Sequence, residues 1–105
     1  MKRYNVKITN EAITDMEQIY NYIALTLLAP ENAKGQYDRI ADAILKLDIM
    51  PERFRIVDFE YGRQKELRQM PVDNFSVFYF VRNEDVIVTN VLYSASDIES
   101  RLTRL

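Results

Sequence analysis

The stretch NFSVFYFVRNEDVIVTNVLY, residues 74–93, contains two apolar runs that are separated by the polar turn Asn83-Glu84-Asp85. In the first run the apolar residues occupy both alternating faces, whereas a half-buried strand would be apolar on one face only. One face carries Phe75, Val77, Tyr79 and Val81, and the other carries Phe78 and Phe80. The stretch therefore predicts a central strand of a sheet, followed by an antiparallel return strand over residues 86–93.

Two amphipathic helices are predicted upstream of this hairpin, because apolar residues recur at alternating intervals of three and four. The first helix should stop before Pro30, since proline disfavours helix in the residue that precedes it, and Pro30 should open the second. With almost no linker, the two helices should form an antiparallel αα-hairpin that packs its apolar seam on the sheet. The predicted seam consists of Ile13, Met16, Tyr20, Ile23 and Leu27 in the first helix and Ala33, Tyr37, Ile40, Ile44 and Leu47 in the second.

The remaining elements are shorter. Residues 4–9 alternate as a half-buried strand, and Asn10 is the predicted N-cap of the first helix. Residues 54–59 and 65–70 are weak strand candidates, the second of which should end at Pro71. A last helix should begin at Ser96, because Ser96 and Glu99 have the spacing of a capping box.

This order of elements predicts a two-layer α+β fold, β-α-α-β-β-β(-β), in which an antiparallel sheet packs against the αα-hairpin and a short C-terminal helix. The first strand needs a neighbour, and the last strand is the expected one. A length of 105 residues is that of one domain, so residues 1–105 are expected to form a single unit.

The composition restricts the possible chemistry. The chain has no cysteine and no histidine, which excludes disulfides, a thiol nucleophile, zinc–thiolate sites and histidine acid–base catalysis. Any catalysis must therefore use Tyr, Lys, Arg, Asp or Glu. The N-terminus lacks the apolar run of a signal peptide, and no segment has the length of a membrane span, so we expect a cytoplasmic protein.

The charge is unevenly distributed although the net charge is only −2. Residues 11–52 contain eight acids and three bases, whereas residues 53–68 contain five bases and three acids. The predicted helices are thus acidic, and the bases gather on the first strand and in the middle of the chain. A weakly acidic protein is a poor general binder of nucleic acid, because such binding depends on neutralising phosphates.

Three stretches of the sequence, together with the predicted order of elements, resemble the RelE/ParE superfamily of toxins from type II toxin–antitoxin modules. LRQMPVDNFSVFYFV (residues 67–81) is similar to the family's pair of central strands, and VIVTNVLYSASDIES (86–100) to its last strand. LLAPENAKGQYDRIADAILKLDIMPERF (27–54) is similar to its second helix with a Pro-Glu opening. The resemblance covers nearly the whole chain and implies a growth inhibitor that a cognate antitoxin protein holds inactive, with no cofactor.

The resemblance also implies two possible mechanisms. Members similar to RelE cleave messenger RNA on the ribosome without a metal ion, and members similar to ParE bind and poison DNA gyrase. Members of the first kind usually carry arginine at the positions of Ser76 and Ser96 in this chain. The catalytic candidates that remain are Arg68, Tyr93, Lys65 and Arg63.

Each candidate also has a structural interpretation. Tyr93 would cover the edge of the core with its hydroxyl in water. Arg68 would form an ion pair with Glu66 or Asp73 at the sheet surface. Because the arginines are missing, gyrase binding is the first hypothesis. The alternatives are a metal-independent mRNA endoribonuclease that uses Arg68 and Tyr93, and a degenerate member that binds antitoxin without toxicity.

The C-terminal helix is predicted to dock weakly and to be displaced by the partner. Its apolar residues Ile98, Leu102 and Leu105 recur at intervals of four and three, but a helix this short is not stable by itself.

Overall fold

The computed structural model describes residues 1–103, which form four strands and four α-helices. A π-helical turn, Tyr22–Thr26, follows the first helix, and short 3₁₀ turns lie at Lys46–Asp48 and Pro51–Arg53. The main elements are β1 (Asn5–Ile8), α1 (Asn10–Asn21), α2 (Pro30–Leu45), α3 (Glu60–Lys65), β2 (Arg68–Val72), β3 (Phe75–Arg82), β4 (Asp85–Tyr93) and α4 (Ile98–Thr103).

The four strands form one sheet in the order β1-β4-β3-β2. β3 is antiparallel to both β2 and β4, and the predicted pairing of the first strand with the last is confirmed. β1 runs parallel to β4, with Asn5 opposite Asp85, so the sheet is antiparallel except at this edge. A parallel pair needs a long crossover, and the αα-hairpin is part of the connection between β1 and β4.

β3 is buried on both faces, as its sequence predicts. On one face Val77 and Tyr79 pack among residues of α1 and α2, including Met16 and Ile40. On the other face Phe78 belongs to a second, smaller cluster. That cluster consists of Val57, Leu67, Phe78 and Leu92, against which Phe59, Phe80, Ile98 and Leu102 pack.

The predicted helical seam is only partly correct. Met16, Ala33, Ile40, Ile44 and Leu47 are buried, but Ile13, Tyr20, Leu27 and Tyr37 are exposed. Ala12 and Ala24 are buried in the first helical segment together with Met16, in places where the prediction put the larger residues Ile13 and Ile23. Tyr20 and Tyr37 instead meet edge to face across the hairpin, with ring centroids 6.3 Å apart. The apolar surface of the hairpin is therefore wider than the sheet can cover.

The strand predicted at residues 54–59 is wrong, whereas the one predicted at residues 65–70 is present as β2 with its bounds shifted to Arg68–Val72. The first contributes a single bridge between Ile56 and Arg68, and α3 occupies much of the interval before β2. Gly62 allows α3 to lie directly on the preceding segment, because a Cβ atom at this position would lie 1.7 Å from Cγ2 of Val57. A side chain in place of this glycine would force the helix away from the second cluster.

Pro71 lies inside β2 and does not end it. β2 is an edge strand, and the backbone N–H of Gln69 points outward to the carbonyl of Arg55, 3.1 Å away. Residue 71 has the same orientation in the strand as residue 69, so a backbone N–H there would also point away from the sheet. Proline has no N–H, and no donor is left unpaired at this position. Edge positions of this kind are where a sheet tolerates proline.

Both predicted helix caps are displaced by one residue. Thr9, not Asn10, caps α1, since its Oγ1 accepts from the backbone N–H of Ala12 at 3.2 Å. Asp97, not Ser96, caps α4, because its carboxylate accepts from the N–H of Ser100 at 3.3 Å. Ser96 instead donates its hydroxyl to the carbonyl of Tyr93 at 2.6 Å.

α4 packs its predicted apolar residues on the second cluster. Ile98 and Leu102 contact this cluster, although both remain partly exposed. Leu105, the third residue of the predicted stripe, lies outside the described residues. A six-residue helix held by two side chains is a weakly anchored element.

Tyr79 connects the centre of the sheet to the turn at Pro51. Its ring is fully buried, and its hydroxyl donates to the carbonyl of Pro51 at 2.5 Å. Burial raises the pKa of Tyr79 to about 12, because the interior disfavours the phenolate. The predicted core role of Tyr79 is confirmed.

We expect Tyr79→Phe to lower the free energy of unfolding by about 1–3 kcal/mol, since a buried carbonyl loses its partner. The difference in free energy of unfolding between wild type and variant should shrink between pH 10 and about 12. In this range Tyr79 of the wild type ionises in the unfolded state but not yet in the folded state, which lowers the stability of the wild type. Urea unfolding at several pH values measures both effects. Tyr93→Phe, at an exposed tyrosine, is the matched control and should change neither; a deficit independent of pH would contradict the burial effect.

Candidate functional site

A polar cluster, buried at Ser76 and open to solvent at Ser94, lies where β3 begins and β4 ends. Ser76 is 1% exposed, and its Oγ lies 2.7 Å from Oγ of Ser94. The side-chain amide of Gln69 donates to the same Ser76 oxygen at 3.0 Å. The backbone N–H of Ser94 is bound by the carbonyl of Asn74 at 2.9 Å, which fixes the position of the second serine. The hydroxyl of Ser76 is therefore hydrogen-bonded by neutral groups of the chain, at a position where the resemblance implies arginine in the nuclease members of the family.

Tyr93 lies beside this cluster at the end of β4. Its ring meets that of Phe75 edge to face, with centroids 5.8 Å apart, and half of the residue (52%) is exposed. No hydrogen bond joins its hydroxyl to another described residue. This geometry fits an aromatic residue at the core edge with its hydroxyl facing solvent.

Arg68 is held by the backbone and is largely enclosed. Its guanidinium donates to the carbonyls of Phe54 and Glu52 at 2.6 and 3.1 Å, and the Glu52 carboxylate lies 3.7 Å away. The predicted ion pairs with Glu66 or Asp73 are wrong. Only 18% of the side chain is exposed, so Arg68 connects β2 to the segment that precedes α3.

Asp73 is bound by the hairpin instead of by Arg68. Its carboxylate accepts from Arg39 at 2.7 Å and from Gln36 at 3.1 Å, which ties the β2–β3 turn to α2. These hydrogen bonds hold the pKa of Asp73 below its usual value. The turn that presents the Ser76 cluster is thereby attached to the helical layer.

Arg63 and Lys65 lie on α3. Arg63 pairs with Asp58 at 2.8 Å, and Lys65 lies over the ring of Tyr61, 5.8 Å from its centroid. Lys65 also lines an open cleft of about 500 Å³ between α3, β3, β4 and α4, together with Arg82. The cleft is on the face of the sheet that carries the second cluster.

The four catalytic candidates do not form one site. Tyr93 is opposite Phe75 and Arg68 is opposite Tyr79, four residues further along β3. Four residues of strand span roughly 13 Å, whereas an acid–base group and a phosphate-binding cation must both reach the same phosphate. The structure brings Lys65 near Arg82 in the cleft and leaves Arg68, Arg63 and Tyr93 in separate surroundings.

Asp15, which the sequence did not single out, binds the edge of β4 beyond the end of β1. Its carboxylate accepts from the backbone N–H of Val91 at 2.9 Å and from the amide of Asn90 at 3.2 Å. Burial raises the pKa of Asp15, and these hydrogen bonds oppose the shift. A signal was present in the sequence, since Asp15 falls between Ala12 and Met16 on the face of α1 that turns inward.

Within residues 1–103, no helix combines the length and the apolar character that crossing a membrane requires. The same residues contain no group of carboxylates placed to hold a metal ion.

Comparison with known proteins gives one family and a set of similar folds. The family model described as "ParE toxin of type II toxin-antitoxin system, parDE" matches residues 6–98. A sequence search of curated proteins finds no match.

Three solved structures share the fold at low sequence identity. The chromosomal ParDE toxin–antitoxin system of P. aeruginosa gives a TM-score of 0.74 at 18% identity, covering 87% of this chain and 96% of that one. The RelBE2 complex of Mycobacterium tuberculosis gives 0.63 at 16%, covering 91% and 97%. The RelE–RelB complex of Pyrococcus horikoshii gives 0.61 at 17%, covering 89% and 97%. At these identities the likeness shows the fold alone.

The Asp15 contact can be tested through pH. Asp15→Asn keeps an oxygen that can accept from Val91 and removes the charge that burial disfavours. In wild type the raised pKa stabilises the fold at low pH, and this contribution is lost as the pH rises from about 4 through the folded-state value. We expect the stability of Asp15→Asn relative to wild type to increase over that interval, as measured by urea unfolding. Glu17→Gln, at an exposed carboxylate, is the control, and a relative stability of Asp15→Asn that decreased with pH would refute the effect.

Proposed function

This chain belongs to the ParE toxin family of type II toxin–antitoxin systems, and from that premise we propose that it inhibits growth by binding DNA gyrase and does not cut RNA. The Ser76–Ser94–Gln69 cluster, in which Ser76 is buried and Ser94 is exposed, is the observation that carries this proposal. It occupies the part of the sheet where a nuclease of this superfamily would need cations, and its hydroxyls are already bound to each other.

RNA cleavage through the 2′-hydroxyl makes demands that this site meets poorly. It needs a base, an acid and cations at one phosphate, because charge develops on the phosphate as the bond breaks. Tyr93 meets the ring of Phe75 and lies four residues along β3 from Arg68, which is itself occupied by backbone carbonyls. Binding of a protein target requires no such constellation.

One observation favours the alternative, a metal-independent mRNA endoribonuclease. Lys65 and Arg82 line the same open cleft, and within the described residues neither forms an ion pair with a carboxylate. Cations beside the Tyr61 and Phe80 rings are suited to bind single-stranded nucleic acid. The third hypothesis, a degenerate member without toxicity, predicts no growth effect at all.

Expression without the antitoxin, with pulse-labelling of DNA and protein synthesis, separates the three hypotheses. We expect DNA synthesis to fall first and cells to filament, and purified gyrase to lose supercoiling activity when the protein is added. A selective early fall in translation would refute gyrase as the target. Unchanged growth, with the protein shown to accumulate in folded form, would support the degenerate member.

Tyr93→Phe is a clean test of the nuclease hypothesis. It removes the hydroxyl and keeps the ring contact with Phe75. If gyrase is the target, the variant should inhibit growth as strongly as wild type, because no acid–base step is lost. Arg68→Ala is less informative, since it also removes the link between β2 and residues 52–54. A loss of toxicity in Tyr93→Phe with unchanged stability would favour RNA cleavage.

We also propose that a cognate antitoxin displaces α4 from the second cluster. Only Ile98 and Leu102 of α4 pack there, and no residue of α4 is fully buried. An antitoxin segment that folds on binding could cover Leu67, Phe78 and Leu92 more completely than α4 does. The apolar area buried in this way would offset the entropic cost of ordering the segment. The proposed partners and target require a cytoplasmic protein, which remains a prediction.

Hydrogen exchange measures this displacement. Amides of residues 98–103 should exchange faster in the antitoxin complex than in the free protein, while those of β3 and β4 should become slower. Ile98→Ser, which weakens docking of α4, should raise the affinity for antitoxin. Exchange at α4 that is equally slow with and without antitoxin would contradict displacement.

A further inference from the structure

The open cleft between α3, β3, β4 and α4 has an excess of positive charge. Of the described residues that line it, Lys65 and Arg82 are basic and Glu66 alone is acidic. Within residues 1–103 neither base forms an ion pair with a carboxylate. The net charge of the chain is negative and its helical hairpin is acidic, so the cleft differs in charge from the rest of the molecule.

Aromatic rings hold both cations in the cleft without neutralising them. Nζ of Lys65 lies 5.8 Å from the ring centroid of Tyr61, and Cζ of Arg82 lies 4.9 Å from that of Phe80. A ring attracts a cation through its quadrupole but has no net charge, so the positive charge stays available to an anion. Because the cations are positioned in advance, less side-chain freedom is lost when an anionic group binds.

The floor of the cleft is apolar and continues into the second cluster. Leu67, Phe80 and Leu102 line the cleft, and they also belong to that cluster or pack against it. A volume of about 500 Å³ is within the range of ordinary ligand sites. A molecule that fills this space must therefore supply apolar groups as well as negative charge.

The neutral polar side chains of the cleft are already hydrogen-bonded within the chain. The amides of Gln64 and Asn90 each donate at 3.2 Å to a carboxylate, one of α3 and one of α1. The hydroxyl of Thr89 donates to a carbonyl of β3 at 3.3 Å. A nucleotide base is recognised by hydrogen bonds to its edges, and these donors are no longer available to it. A carboxylate, by contrast, can pair directly with the two cations.

We propose that this cleft binds an acidic segment of the cognate antitoxin, whose carboxylates pair with Lys65 and Arg82. Apolar residues of the same segment take the place of Leu102 on the second cluster. This pairing rests on the proposed displacement of α4 and specifies the chemistry of the segment that displaces it. A segment with apolar residues alone would cover the two cations without giving them a partner, which costs free energy. The expected segment therefore contains both acidic and apolar residues.

Isothermal titration of the whole protein, made by cell-free synthesis, with the antitoxin tests the pairing. In Lys65→Gln and in Arg82→Gln the dissociation constant should rise by about fivefold or more, because a carboxylate of the segment loses its cation. All variants should unfold at the urea concentration of wild type, since the two side chains are exposed and form no ion pair within the described residues.

Lys46→Gln and Arg55→Gln are the matched controls. They remove the same charge from exposed bases that do not line the cleft and that form no ion pair in the described part of the chain. Their dissociation constants should stay within about twofold of wild type, because long-range attraction between exposed charges is screened by salt. Cleft variants that bind as tightly as wild type would overturn the proposal. So would an equal loss of affinity in cleft variants and controls, which would indicate attraction by overall charge.

Salt and a nucleic-acid probe give two further readouts. The wild-type complex should weaken as sodium chloride rises, and the variant with both cleft substitutions should weaken less steeply, because two screened ion pairs are missing. A hexauridine oligonucleotide that excludes the antitoxin and no longer binds the cleft variants would assign the cations to nucleic acid and overturn the proposal. Hydrogen exchange at α4 reports displacement independently of these affinities, so displacement and pairing can fail separately.

Discussion

Burial of β3 on both faces is the constraint on which the rest of the structure depends. A strand that presents Val77 and Tyr79 to one side and Phe78 to the other needs a cover on each. The αα-hairpin covers one side with the larger cluster, and the segments around α3 and α4 cover the other with the smaller one. The αα-hairpin is therefore anchored by many buried side chains of the larger cluster, whereas α4 is anchored to the smaller cluster by two side chains.

The parts of the fold that could be predicted are those in which a periodic pattern carries the information. The β3–β4 hairpin and the two helices follow from apolar spacing and from proline, and the pairing of the first strand with the last follows from the need of a half-buried strand for a neighbour. The interval before β2 could not be predicted, because its outcome depends on Gly62 meeting Val57, a contact that exists only in the folded chain. The helical seam was misplaced for a related reason, since alanine allows closer approach to the sheet than the larger residues that mark the pattern.

The candidate site was harder to predict than the fold because its partners are distant in sequence or belong to the backbone. Arg68 is bound by carbonyls, which every residue carries and no motif marks. Ser76 meets Ser94 only when two strands are in register. Asp15 could have been recognised, since an acid on the inward face of an amphipathic helix needs a hydrogen-bond donor from elsewhere in the fold.

The margins of the sheet have a consequence for behaviour at high concentration. A growing fibril adds strands by pairing with free N–H groups at a sheet's outer strand. Pro71 offers no such group on one margin, and the Asp15 carboxylate occupies that of Val91 on the other. Addition of a further strand is thereby obstructed at these two positions.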